Sequence, residues 1–316
     1  MYALASLLLS SRTVVAALLV IGLSAPLALA KDGTILVITS QDSTPYQQVI
    51  SGFRQTLQKQ GDTTEMVEHS LQEAPADTWQ AIQTAESAGV KLLFTIGSRA
   101  TEVAQRETTE IPIVASMVLN IPDLRQTKNI TGVVLDFPVT TQFEWIHRLL
   151  PEQKSIGVLY NPKENLETIQ MARHVAQRLG LSLVALEVET PQALPSALES
   201  LTKEIDVLWG LTDEVVLSPQ TAQPILLFSF RNRIPFIGLS APWVKAGALY
   251  ALDRDYTDVG NQSGEIALKI LRGTSASTIA PAPPRKVLYS VNLKTAQHLR
   301  LRLADSVVTE AQQIFR

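Results

Sequence analysis

Short apolar, β-branched runs recur along the chain at Thr34–Thr39, Lys91–Ile96, Ile111–Ala115, Ile156–Tyr160, Leu183–Val188, Ile205–Trp209 and Ile234–Gly238. Their apolar positions are nearly continuous rather than alternating, as in parallel strands covered on both faces. Stretches with helical spacing fill the intervals. Val49, Phe53 and Leu57 follow Pro45, a first-turn proline behind Ser43 and Thr44, and Gly61 ends that run. Ala172, Val175, Ala176 and Leu179 repeat the spacing ahead of Gly180. Strands and helices alternating through short connections predict right-handed βαβ units and a doubly wound α/β fold.

An internal echo divides this material in two. Leu92–Ser98, a helix and Ile111–Ser116 have their counterpart in Val207–Asp213, a helix and Ile234–Ser240. Each copy reads as strand, hydroxyl-bearing turn, helix, Ile-Pro strand and a serine beyond the strand end. Duplication predicts two similar parallel-sheet lobes rather than one wide sheet. The pattern breaks at Gly132–Pro138, at Gly247–Asp253 and in the proline-rich Ile279–Pro284. Three crossings between lobes are therefore expected to form a hinge through Val134–Phe137, Ala251–Asp253 and Pro281–Arg285.

The first thirty residues depart from this alternation, with a single charge at Arg12 and an apolar stretch from Val14 to Leu23. Ala28, Leu29 and Ala30 give the small-x-small pattern of a signal-peptidase site, and Lys31, Asp32 and Gly33 turn polar. Residues 1–30 read as a cleaved secretory leader, because the apolar run stops at Ser24 and Pro26, short of the roughly 20 residues of a spanning helix. A secreted, periplasmic protein is expected. The absence of cysteine excludes disulfides, thiolate metal sites, cysteine nucleophiles and a lipid anchor on an N-terminal cysteine. With 27 Lys and Arg against 30 Asp and Glu, the chain lacks the basic excess that nucleic-acid binding requires. At 316 residues and 46% hydrophobic content there is material for two folded domains.

The patterns G-x-x-x-x-G-K-[ST], G-x-G-x-x-G, G-x-S-x-G and H-E-x-x-H do not occur, which removes the main support for nucleotide and zinc-protease readings. Ser200–Lys203 matches S-x-x-K but closes an amphipathic helix, where the lysine complements the helix dipole. Asp253, Asp255, Asp258 and Glu265 have a calcium-loop flavour in broken order, and Asp255 as an N-cap with Asp258 in the first turn explains the same acids. His69, His147, His174 and His298 are scattered without metal-ligand spacing or a neighbouring serine nucleophile. No catalytic residue, cofactor or metal site is expected.

Hydroxyls, amides and carboxylates instead collect just beyond the strand ends, where open α/β sheets bind ligands. Ser98, with the helix-opening amides after Gly97, suits an anion such as a carboxylate, with Arg99 an optional charge partner. Ser116 in the first lobe is expected to join it, while Tyr160, Asn161, Thr212 and Asp213 of the second close over the other end. Asp213 or Asp253 would meet an ammonium. The same residues also suit turns and caps.

The series Asn129–Val133, Leu149–Pro162, Leu211–Asp213, Gly247–Leu249, Asp255–Tyr256, Gly260, Ile270–Gly273 and Val291–Ala296 resembles the substrate-binding proteins of ATP-binding cassette transporters. More narrowly it resembles the branch that includes tryptophan- and tyrosine-binding members. The resemblance implies the type I periplasmic-binding-protein fold, with residues 31–135 plus about 254–281 in the first lobe and 136–250 plus about 285–316 in the second. It implies a monomeric, non-enzymatic protein that captures a small ligand, an amino acid or related amine-bearing carboxylate, between its lobes and hands it to a membrane permease. A solute-sensing subunit for a membrane receptor and a hydrolase with a dispersed site are the alternatives. Glu214, the run Glu164-Asn165-Leu166 in place of a Glu followed by an Asn-Ser pair, Arg99 and Asn120 depart from the family's pattern at the cleft, where specificity resides.

Overall fold

The computed structural model describes residues 33–119, 124 and 128–316. The expected leader, and Asn120, lie outside the described residues. The first lobe is built from β1 (Ile35–Thr39), α1 (Thr44–Lys59), β2 (Met66–Ser70), α2 (Pro75–Thr84), β3 (Leu92–Ile96), α3 (Ser98–Glu107), β4 (Ile113–Val118) and β5 (Ile130–Val134). Its strands are all parallel in the order β2-β1-β3-β4-β5. Alternate side chains feed two cores. Ile35, Val37 and Phe94 pack beneath Val49 and Phe53 of α1, whereas Leu36, Ile38 and Leu93 pack on Ile82, Ala100 and Ala104 of α2 and α3. Burial on both faces is why the strand sequences are apolar throughout.

The second lobe holds α4 (Val139–Leu149), β6 (Ser155–Tyr160), α5 (Pro162–Arg178), β7 (Ser182–Glu187), α6 (Leu194–Leu201), β8 (Val207–Trp209), α7 (Ala222–Asn232), β9 (Phe236–Gly238), α8 (Ala241–Ala246) and β10 (Tyr250–Arg254). After α9 (Tyr256–Leu271) the chain returns for β11 (Val287–Asn292), α10 (Leu293–Leu299), α11 (Asp305–Glu310) and β12 (Gln313–Phe315). The sheet order is β12-β11-β10-β9-β8-β6-β7. Strands β6 to β10 are parallel, as expected, but β11 runs antiparallel to β10 and carries β12 with it. The reason is topological: β10 ends at Arg254 and β11 begins beside it, Arg254 opposite Val287, because the chain re-enters this lobe at the edge where it left.

Helix α9 belongs to the first lobe. A Cβ at Gly52 of α1 would lie 2.0 Å from the Thr257 carbonyl oxygen, and one at Gly260 of α9 would lie 2.1 Å from that of Val49, so backbone meets backbone at both positions. Thr56 also hydrogen-bonds Asn261 at 3.1 Å. The chain thus passes between the lobes at residues 135–138, at Asp255 and at 279–286. The third passage lies against β5, where Val134 donates to the Ala282 carbonyl and Ala282 donates to that of Gly132, each at 3.0 Å. The hydrogen bond from Arg254 Nη2 to the Leu135 carbonyl, at 2.9 Å, brings the ends of β5 and β10 together. The carboxyl ends of the parallel strands of both lobes therefore point toward a shared cleft.

Candidate functional site

The first-lobe wall of the cleft is organised around Gly97. Its φ of +96° suits glycine, and a Cβ there would lie 2.5 Å from Ser40 Oγ and 2.6 Å from the Tyr46 hydroxyl. These two groups stand at the opening of α3. Ser40 Oγ accepts the Ala100 amide at 2.9 Å, so that amide is already taken, whereas the amides of Ser98 and Arg99 open the helix without intrahelical partners. Ser98 is half-buried and Arg99 exposed. Burial pushes the Tyr46 hydroxyl above its ordinary pKa, keeping it a neutral donor.

Ser116 lies behind this opening and is fully buried, with its carbonyl accepting the Gly97 amide at 2.8 Å. Its hydroxyl has no hydrogen-bond partner among the described residues. The next residue, Met117, is in the left-handed region at φ +59°, and the β4–β5 register shifts between Ser116 and Val118. A helix opening with amides free of intrahelical partners, two hydroxyls beside it and an unpartnered buried hydroxyl thus lie together at this wall.

The second-lobe wall is a closed hydrogen-bond network. Asn161 caps α5, its Oδ1 accepting from Lys163 N and its Nδ2 donating to Glu164 Oε1 at 2.9 Å. Asp213 is only 3% exposed and accepts four hydrogen bonds. Oδ2 takes the Asn161 amide at 2.6 Å and Asn165 Nδ2 at 2.9 Å, and Oδ1 takes the amides of Val215 at 3.0 Å and Val216 at 2.8 Å. Asp213 thus has the turn-holding role, with both oxygens occupied, in place of the open counter-ion expected from sequence. Thr212 is exposed, its carbonyl held by Asn165 Nδ2 at 3.0 Å, and Glu214 is exposed beside it, its amide bonded to Glu164 Oε2 at 3.0 Å.

Two expected site residues sit apart from these walls. Tyr160 is 4% exposed and packs in the second-lobe core, its hydroxyl donating to Glu187 Oε1 at 3.0 Å. Desolvation, then the Glu187 carboxylate, raises its pKa. Its position at a strand end was visible in the sequence, but the alternation of the strand turns its ring toward α4 and α5. Asp253 is half-buried within β10 and accepts the Arg254 amide at 2.8 Å, so the expected hinge segment Ala251–Asp253 is strand and the crossing falls at Asp255, where β10 has ended.

Glu164, Asn165 and Arg254 also hold the second-lobe wall and the crossings. Asn161-Pro-Lys-Glu164 is an N-x-x-E capping pattern, so Glu164 had a local signal. Asn165 was marked only by the family resemblance, and Arg254 had no signal. The acids read as a cap rather than a calcium loop are one, with Asp255 accepting the Asp258 amide at 3.1 Å. Among the described residues no cluster of three or more His, Cys, Asp or Glu side chains is suited to a metal ion. No helix among them is long and apolar enough to cross a membrane.

The sequence model of the family described as ABC transporter substrate binding protein matches residues 34–315. A tyrosine-binding protein of Clostridioides difficile is 28% identical over 198 residues, 60% of this chain and 56% of that protein, so the aligned region spans little more than half of that relative. A ligand-free, open structure of a substrate-binding protein with adhesive properties from Clostridium difficile superposes with a TM-score of 0.72 at 23% identity, covering 90% of this chain and 99% of that one. An ABC domain from Streptococcus pneumonia in complex with L-Trp gives a TM-score of 0.57 at 20% identity, covering 90% and 100%. At these identities the two structures speak for the fold.

Proposed function

Because this chain belongs to the ABC transporter substrate-binding protein family, we propose that it binds a small amine-bearing carboxylate, an aromatic amino acid foremost, between its lobes and delivers it to a membrane permease. The observation that carries the ligand class is the orphaned Ser116 hydroxyl behind the opening of α3. The ligand carboxylate sits at the Ser98 and Arg99 amides, with Ser98, Ser116 and the Tyr46 hydroxyl as further donors. The opposite wall is acidic. Glu164, Asp213 and Glu214 have no cationic partner within ion-pair distance among the described residues, and their field favours the ammonium end. Asn161 and Asp213 hold that wall in shape, and the exposed Thr212 hydroxyl meets the ligand. Tyr46 and Tyr256, at the first turns of α1 and α9, supply aromatic surface for the side chain. The likeness to tyrosine-binding and tryptophan-bound relatives supports the same ligand class. In this reading residues 1–30 are a cleaved leader, the mature protein is a periplasmic monomer, and the three crossings are its hinge.

The test is thermal unfolding with L-tyrosine, L-tryptophan, other amino acids, small carboxylates and sugars. A cognate ligand at about 100 times its Kd stabilises by about 2.7 kcal/mol, an easily resolved rise in Tm. The rise is expected for L-tyrosine or L-tryptophan and is expected to shrink in Ser116→Ala. A rise with sugars alone overturns the ligand class.

A further inference from the structure

Two side chains grip the first crossing from opposite sides. Gln142, in the first turns of α4, uses both ends of its amide: Nε2 donates to the Phe137 carbonyl and Oε1 accepts the Trp209 indole N–H, each at 2.8 Å. Neither end has a choice, since a carbonyl only accepts and an indole N–H only donates. Trp209 ends β8, is 2% exposed and meets the Phe143 ring edge-on at 5.0 Å. Next comes Gly210, where a Cβ would lie 2.4 Å from the Ile237 carbonyl oxygen, so Trp209 joins without slack to the turn carrying Thr212 and Asp213. From the other side, Arg254 at the end of β10 holds its guanidinium carbon 5.1 Å from the Phe137 ring centre and donates Nη2 to the Leu135 carbonyl at 2.9 Å. Its Nε is buried without a partner among the described residues, a donor left over in this conformation.

We propose that Gln142 and Arg254 are positioning residues that set the angle between the lobes. Gln142 ties the first crossing to the cleft turn of the second lobe through Trp209, and Arg254 ties it to the second crossing. The inference rests on the reading that ligand binds between lobes that close on it. The second crossing is a single residue, Asp255, and the amides of Leu135 and Asp136 stay bonded to Val118 and Leu119, so within the first crossing a change of lobe angle falls on backbone rotation between Asp136 and Pro138. Any such rotation moves the Leu135 or Phe137 carbonyl against these two donors. Removing a donor widens the range of angles the free protein visits and makes ordering on ligand binding costlier.

The experiment compares the mature protein with Gln142→Leu, Gln142→Glu, Arg254→Met and, as a packing control, Phe143→Leu. It uses small-angle scattering without ligand and calorimetric titration with L-tyrosine and L-tryptophan. Gln142→Leu and Arg254→Met are expected to broaden the ligand-free distance distribution and to weaken binding about fivefold or more. Gln142→Glu still accepts from Trp209 but has no donor for Phe137. It is expected to scatter like Gln142→Leu while keeping the Trp209 indole N–H hydrogen-bonded, its resonance at or downfield of the parental position and not moved upfield as in Gln142→Leu, a signal identified by its loss in Trp209→Phe. Phe143→Leu is expected to lower Tm and leave the scattering unchanged. Parental scattering in both Gln142→Leu and Arg254→Met overturns the proposal, as does a Phe143→Leu profile equal to that of Gln142→Leu. If one of the two variants does not fold, the other decides. Should neither amino acid bind the parent, the ligand class fails, while the ligand-free scattering still decides the clamp.

Discussion

Asp213 shows how far a single residue's chemistry can be judged without its neighbours. A carboxylate in a turn after a buried strand reads equally as a counter-ion and as a cap, and the deciding partners, Asn161 and Asn165, lie 52 and 48 residues away. Four donors converge on it, so charge neutralisation is less damaging than loss of an acceptor. Asp213→Asn keeps one acceptor oxygen and turns an NH2 group toward two buried donors. We expect a loss of about 2–4 kcal/mol in urea unfolding. An unchanged midpoint would mean that the carboxylate is free of the turn and available to a ligand. The positions of Ser98, Ser116 and Thr212 at or just beyond strand ends were legible, because the apolar runs that precede them mark where the strands stop. Arg254 was not, since an arginine between two aspartates has the appearance of a solvated charge, and only its contacts with Leu135 and Phe137 mark it as part of the crossing.

At the level of elements, central strands and capped helices were readable and edges were not. β1, β3 and β4 are buried on both faces and announce themselves as apolar runs, whereas β2, on the edge of its sheet, spells Met66-Val-Glu-His-Ser70 with every residue partly or fully exposed. The first turn of α9 joins the second and third crossings: Asp255 pairs with Lys286, and Arg285 reaches Asp258 at 2.8 Å and Glu265 at 3.0 Å. Desolvation raises the Asp255 pKa, but the Lys286 hydrogen bond and the amides of Asp258 and Thr257 outweigh it, leaving a net value below the ordinary carboxylate range. A depressed folded pKa contributes stability that is present above the unfolded value of about 3.9 and disappears as pH falls through the folded value. Below about pH 4, therefore, the parent is expected to lose more of its urea midpoint than Lys286→Met, in which much of the depression is absent. Equal losses in the two proteins would show that Lys286 is merely solvated.

For the whole molecule, the duplicated strand-turn-helix unit was enough to announce two lobes, and only the family resemblance put residues 254–281, α9 included, with the first. That assignment depends on Gly52 and Gly260 letting two helix backbones touch, a contact between residues far apart in sequence that no local pattern encodes. The resulting connectivity restricts motion. With the first crossing still bonded to Val118 and Leu119 through the amides of Leu135 and Asp136, the second one residue long and the third laddered to β5, sliding of the lobes would break backbone hydrogen bonds at several points. Rotation about a line through the three crossings breaks none of the sheet ladders and needs dihedral changes only in a few residues. Closure about that line would bring Ser98 and Ser116 toward Thr212 and Asp213 and remove water from between an anion cradle and an acidic wall, strengthening both ends of a zwitterion's attachment. Saturating L-tyrosine or L-tryptophan is accordingly expected to reduce the radius of gyration in small-angle scattering, in step with the rise in Tm. A rise in Tm with an unchanged radius would show that ligand binds to one wall of an open cleft, and the rotation would then have no part in binding.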